Sequence, residues 1–175
     1  MMDYLKDDAI HLRPLEPSDI DRFFIWQNDA SLWCTTNTVA PYSHHAIWEY
    51  VNNYVADIYS QRQLHLMVCA NDSEEAIGCI DIFDIEPAQR RAMCGLLIDR
   101  QHRGKGIGSH AVGLMTSYCR DVLHLHQLCV HIASANEASL RLFGNQGFFR
   151  AGTLRDWLLT PSGYADAEVL QKMLD

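Results

Sequence analysis

The run Arg103-Gly104-Lys105-Gly106-Ile107-Gly108 restricts this chain more than any other segment. Three of its ten glycines fall within five positions. They follow Gly95-Leu96-Leu97-Ile98, which reads as a buried strand. They precede Ile107, Ala111, Leu114, Met115, Tyr118 and Val122, which recur at helical spacing. A strand, a glycine loop and a helix start together make a nest of backbone N–H groups suited to phosphate. Glycine lets that backbone turn tightly and approach a ligand without interference from a Cβ. Arg103 and Lys105 add positive charge. Two familiar phosphate loops do not fit. A Walker loop needs Ser or Thr after Gly-Lys, and Gly106 stands there; a dinucleotide fingerprint needs glycine three places after Gly106, and Ser109 stands there. By itself the segment reads equally as a glycine-rich turn carrying two solvated cations.

The rest of the chain predicts an α+β fold, a mixed and mostly antiparallel sheet with helices on both faces. Ala9 to Pro14 reads as a first strand. Pro17-Ser18-Asp19 opens a helix with Ser18 as its cap and Ile20, Phe23, Phe24 and Trp26 on its apolar side. Asn28 to Pro41 reads as a loop. Ser43 caps a second helix whose stripe runs Ile47, Tyr50, Val51, Tyr54, Val55 and Ile58. Three strands follow through short turns, from Leu64, Ala76 and Arg91, as an antiparallel meander. Gly95 inside the third predicts a bulge or a close backbone approach. The helix after the glycine loop is a crossover, so its flanking strands, Arg91 to Asp99 and Leu128 to Ile132, are parallel neighbours. Asn136 caps a short helix ending near Gly147, and two more strands close the chain. The expected organisation is one domain over residues 1–175, with its core over about 10–174.

Composition excludes several classes. The chain has 14 basic and 22 acidic residues, a net charge of −8, which argues against nucleic acid as a partner and is compatible with a cationic substrate. No apolar run has the length to cross a bilayer, so no membrane partner is expected. The start of the chain lacks the basic and apolar pattern of a signal peptide, so a cytoplasmic location is expected. Six scattered cysteines form no Cys-x-x-Cys pair. His124, His126 and His131 lie close in sequence, but no carboxylate or cysteine at ligand spacing completes a set, so no metal is expected. A homo-oligomer is left open.

Gln101-His102-Arg103-Gly104-Lys105-Gly106 resembles the central motif of the GNAT family of N-acetyltransferases: Gln or Arg, two residues, Gly, one residue, Gly or Ala. Asn136-Glu137-Ala138-Ser139-Leu140-Arg141-Leu142-Phe143, running into Gly147-Phe148, resembles its second motif. The order of elements matches as well. Leu12-Arg13-Pro14-Leu15, Ile77-Gly78 to Arg90-Arg91-Ala92 and Gly163-Tyr164-Ala165-Asp166 look like the branch that holds spermidine and ribosomal-protein N-acetyltransferases.

The resemblance implies acetyl-CoA as cosubstrate and a primary amine as acceptor, either a polyamine, another small amine or a peptide N-terminus. Amides of Arg103, Gly104, Lys105, Gly106, Ile107 and Gly108 would hold the pyrophosphate. Leu96, Leu97 and Ile98 would pair with the pantetheine arm, with an amide near Leu97 polarising the thioester carbonyl. Asn136 and Phe143 would close the other wall. Many members of the family use a Glu and a Tyr as base and acid; Met93 and Phe143 stand at those positions. Asp81 and Ser139 are the substitutes, Asp81 as base or amine anchor and Ser139 serving the thiolate. Asp81 and Asp84 are three apart on one strand, so the pleat sends them to opposite faces. Asp29, Asp84 and Glu86 are further acids for a cationic amine, and Trp33, Tyr42, Tyr50 and Tyr54 are aromatic residues for either the acceptor pocket or the core. A second reading is a module that binds acetyl-CoA or CoA with little or no turnover.

Overall fold

A computed structural model describes residues 4–36, 38–54 and 57–174. Seven strands form one sheet in the order β1-β2-β3-β4-β5-β7-β6. They are β1 (Ile10–Pro14), β2 (Leu64–Ala70), β3 (Ala76–Glu86), β4 (Arg91–Ile98), β5 (Gln127–Ala133), β6 (Phe149–Thr160) and β7 (Gly163–Met173). Every neighbouring pair is antiparallel except β4 and β5, which the expected crossover helix makes parallel.

Helices cover both faces, each over its own core. On one face α5 (Ile107–Asp121) and α6 (Glu137–Asn145) pack with Leu66, Val68, Ile80, Ile82, Cys94 and Leu128. On the other, α1 (Ile20–Gln27) and α3 (His44–Asn52) bring Phe23, Trp26, Ile47 and Val51 onto Met67, Cys69 and Cys79. Residues alternate between the faces along each strand. Two short helices, α2 (Trp33–Thr36) and α4 (Ile58–Gln61), flank α3.

Four local expectations are corrected. Ser18 does not cap α1: Pro17–Asp19 forms a 3-10 turn, and the Asp19 carboxylate takes the Glu16 N–H at 2.9 Å. Asp19 is buried and held by two Arg13 bonds of 2.7 and 2.8 Å, so a fixed charged acceptor replaces the hydroxyl. The helix capped by Ser43 ends at Asn52, where Asn53 turns its amide and its side chain onto the Glu49 carbonyl. Ile58 therefore belongs to α4, while Val55 lies outside the described residues. The stretch Asn28 to Pro41 is not all loop, since it contains α2. The bulge expected at Gly95 lies instead in β3, between Phe83 and Glu86, where Asp84 has φ 49°. An aspartate tolerates that left-handed backbone better than most side chains. With the pleat broken there, simple alternation no longer relates Asp84 to Asp81.

Candidate functional site

The glycine loop begins at a fixed point. β4 ends at Ile98, and Asp99 caps the turn Arg100–His102 by taking the Gln101 N–H at 3.1 Å. Its other oxygen takes Arg22 Nη1 and Trp26 Nε1, both at 3.3 Å, which ties the loop to α1. Burial alone would raise the Asp99 carboxyl, but these donors hold it below the usual carboxylate range. Gly104 (φ 75°) and Gly106 (φ 81°) then take left-handed conformations, and a Cβ at either would meet nothing within 4 Å. Among the described residues, none of the six backbone N–H groups from Arg103 to Gly108 donates a hydrogen bond. They lie at the N-terminal, positive end of α5.

Two loop residues do other work. Arg103 Nε donates to the Ile98 carbonyl at 2.8 Å, closing the loop onto β4. A Cβ on Gly108 would lie 2.5 Å from Leu142 Cδ1 and 3.3 Å from Leu96 Cδ2, so this glycine lets α5 start close against α6 and β4.

Next to the loop, β4 and β5 part. Their parallel ladder covers only Arg91–Met93 against Gln127–Cys129. Beyond it Leu96, Leu97 and Ile98 remain paired to β3, opposite Ile80, Cys79 and Gly78, with no strand on their other edge, where the Ile98 carbonyl takes Arg103 Nε. The directions of the amides follow. Asp99 N–H donates to Ile77 on the β3 side at 2.9 Å, so the alternating amides of Leu97 and Gly95 turn to β3 as well. Leu96 and Ile98 therefore present the gap-facing N–H groups, which narrows the expected amide near Leu97 to its two neighbours.

On the far wall, Asn136 Oδ1 takes the Ser139 N–H at 3.1 Å, capping α6, and its amide nitrogen has no partner among the described residues. The half-buried Ser139 hydroxyl has no partner among the described residues. Phe143 does not form an open wall. Its ring is 4% exposed, edge-on to Phe148 with centroids 5.1 Å apart, so the expected coenzyme contact is corrected to a place in the core.

On the α1–α3 face the register sets His65, Asp81 and Gly95 side by side on β2, β3 and β4. His65 Nδ1 lies against Asp81 Oδ1, the histidine buried and the carboxylate partly open. The Tyr54 hydroxyl takes the His65 backbone N–H at 2.9 Å. The Phe23 ring stands edge-on to His65 and lies parallel to Tyr50. Burial first, then the Asp81 charge, raises the Tyr50 phenol; burial likewise leads for Tyr54. Both rings therefore stay protonated donors near neutral pH. Tyr50 and Tyr54 thus join the Asp81 neighbourhood. Trp33 is bound to the Gln27 carbonyl at 3.2 Å, and Tyr42 is exposed beside Asn28, which bridges the two ends of the loop. The other acids divide. Asp29 is engaged by Ser31, and Glu86 pairs with Arg62; Asp84 is exposed with no cation partner among the described residues.

A family model described as "Acetyltransferase (GNAT) domain" matches residues 9–149. The chain belongs to the GNAT acetyltransferases. It is 25% identical over 171 residues to a probable N-acetyltransferase, YjcK, of Bacillus subtilis, covering 95% of this chain and 94% of that one. It is 28% identical over 162 residues to the spermidine N(1)-acetyltransferase of Escherichia coli K12, covering 91% and 83%. Its fold matches that of spermidine N-acetyltransferase from Vibrio cholerae, solved in complex with CoA and spermine. The TM-score is 0.85 at 22% identity, over 96% of this chain and 97% of that one.

Within this GNAT chain, the sequence singled out the glycine loop, Asp81 and Ser139 as candidates but not His65, which the register sets beside Asp81. A histidine in the middle of the otherwise apolar run Leu64-His65-Leu66-Met67-Val68-Cys69 was the available signal, since a buried polar side chain is the informative exception in such a strand. Sequence also could not pair Asp7 and Asp8 with His110, a hundred residues away. These are the one set of potential metal ligands among the described residues. Asp7 is already engaged by the amides of Ala9 and Ile10 and by His110 at 2.7 Å, so the Asp7–His110 contact ties the N-terminal segment to α5.

Proposed function

We propose that this GNAT chain transfers the acetyl group of acetyl-CoA to a primary amine, with a polyamine or another small cationic amine as the best-fitting acceptor. The observation that carries the reading is the row of six unpaired amides from Arg103 to Gly108, opening beside an unpaired strand edge. Amides at a helix start bind a diphosphate through directed hydrogen bonds and the helix dipole. The free edge of β4 supplies bonds to an extended arm lying in the gap, as an added strand does. The similarity to relatives named for spermidine supports a cationic acceptor. So do the net charge of −8 and the acids Asp81 and Asp84. Free cysteines fit a reducing compartment and support the expected cytoplasmic location.

The roles follow from the chemistry. Acetyl-CoA supplies an activated acyl group as a thioester. The amide of Leu96 or Ile98 polarises the carbonyl, as an oxyanion-hole donor does. A free alkylammonium has a pKa near 10.4, so the amine must lose a proton before attack, and Asp81 accepts it. Attack forms the C–N bond and breaks the C–S bond. Ser139 donates a hydrogen bond to the departing sulfur from the start of α6. Met93 and Phe143 can exchange no protons, and Asp81 and Ser139 take their places from neighbouring positions.

CoA release should be measured with acetyl-CoA against spermidine, spermine, amino acids and short peptides. The expected result is the highest kcat/KM with polyamines. Silence across every amine, with acetyl-CoA bound, would favour the binding-module reading that the hydrocarbon side chains at Met93 and Phe143 motivate.

A further inference from the structure

We infer that His65 is a positioning residue for the Asp81 carboxylate, and that Gly95 keeps the way from that carboxylate to the gap open. The inference rests on the acetyl-transfer reading and names the group that makes its base effective. The ring of His65 is buried beneath the α1–α3 face, and its Nδ1 faces Asp81 Oδ1. A carboxylate only accepts, so the form of the ring that serves this contact is the one protonated at Nδ1. Among the described residues Nε2 and Asp81 Oδ1 are both buried without a hydrogen-bond partner, so the ring is held by its electrostatic contact with Asp81, by packing on Phe23 and by the bond from its own backbone to Tyr54. An apolar residue at this position would avoid an unsatisfied buried nitrogen. The nitrogen is tolerated here because its ring holds a carboxylate in place.

That carboxylate is aimed. One oxygen faces His65, and the side chain as a whole is 28% exposed. Across the ladder its partner on β4 is Gly95, on the same face. A Cβ there would meet only the Phe83 ring edge, at 3.6 Å. Glycine thus leaves an opening between Asp81 and the edge of β4, two residues past the last β4–β5 pair at Met93. The base belongs to β3 rather than to the central strand, and the missing side chain at Gly95 lets it reach across.

The test compares His65→Leu, which removes the donor, with His65→Asn, which keeps an N–H close to the Nδ1 position. Each is made in the parent chain and in Asp81→Asn. With spermidine as acceptor, His65→Leu should lower kcat about tenfold or more and His65→Asn by no more than about threefold, with KM for acetyl-CoA unchanged in both. In the Asp81→Asn background, His65→Leu should change kcat little, because the group it positions is gone. Gly95→Val, which puts a side chain into the opening while both His65 and Asp81 are kept, should raise KM for spermidine severalfold. Three results would overturn the inference: parent-level turnover in His65→Leu, equal losses in the Leu and Asn variants, or the same loss from His65→Leu with and without Asp81. If the parent itself transfers acetyl to no amine while binding acetyl-CoA, the underlying reading fails, and this inference fails with it.

Discussion

On one side of the β4–β5 gap, recognition is assigned to backbone amides of a single continuous run, Arg103 to Gly108. On the other it is assigned to the side chains of His65, Asp81, Tyr50 and Tyr54, drawn from two strands, a helix and the segment after it. The first side needs little from side chains beyond the absence of Cβ atoms at Gly104 and Gly106. The second depends on which side chains the sheet register brings together. A backbone-built half suits a ligand shared by a whole family, whereas a side-chain-built half can change with the acceptor. The Met93 and Phe143 departures fall in the catalytic half, while the glycine loop keeps its pattern.

The largest effect that would sharpen this contrast is at Asp81. Asp81→Asn should lower kcat/KM for the amine about 100-fold, with coenzyme affinity unchanged by titration. A matching loss of acetyl-CoA binding would break the division of labour. Ser139→Ala should lower kcat about tenfold and leave KM for acetyl-CoA alone, since the α6 cap uses its backbone N–H rather than its hydroxyl. Steady-state kinetics with both substrates varied separates these outcomes.

The smallest expected effect concerns the join between the halves. Asp99 links the loop to Arg22 and Trp26 of α1. Its carboxyl is held below the ordinary 3.8, so its contribution to stability is complete above about pH 4 and is lost as pH falls through the lowered value. Asp99→Asn should cost about 1 to 2 kcal/mol at neutral pH. The difference between variant and parent in urea unfolding should shrink below pH 4. A constant difference across that range would remove the charge from the explanation.

How much of this was legible beforehand follows the same division. A backbone site leaves a contiguous trace, so the spacing of Gly104 and Gly106 and the helix stripe from Ile107 located the loop, and the crossover rule placed β5 beside β4. The sheet and its helices on both faces were legible because hydrophobic periodicity is local. The Asp84 bulge was not, because an aspartate in the left-handed region looks like any strand carboxylate in sequence. The direction of the Leu97 amide depended on the register with β3, which no single strand encodes. His65 became visible as part of the site only when that register set it beside Asp81.

The most direct test is calorimetric titration of acetyl-CoA into the parent and into Gly106→Val. Valine at φ 81° is strained and closes the turn that exposes the amides, so the variant's fold is first verified by near-UV circular dichroism. Affinity should fall at least about 100-fold, equivalent to roughly 2.7 kcal/mol. A folded variant that binds acetyl-CoA as tightly as the parent would contradict the assignment of the diphosphate to these amides.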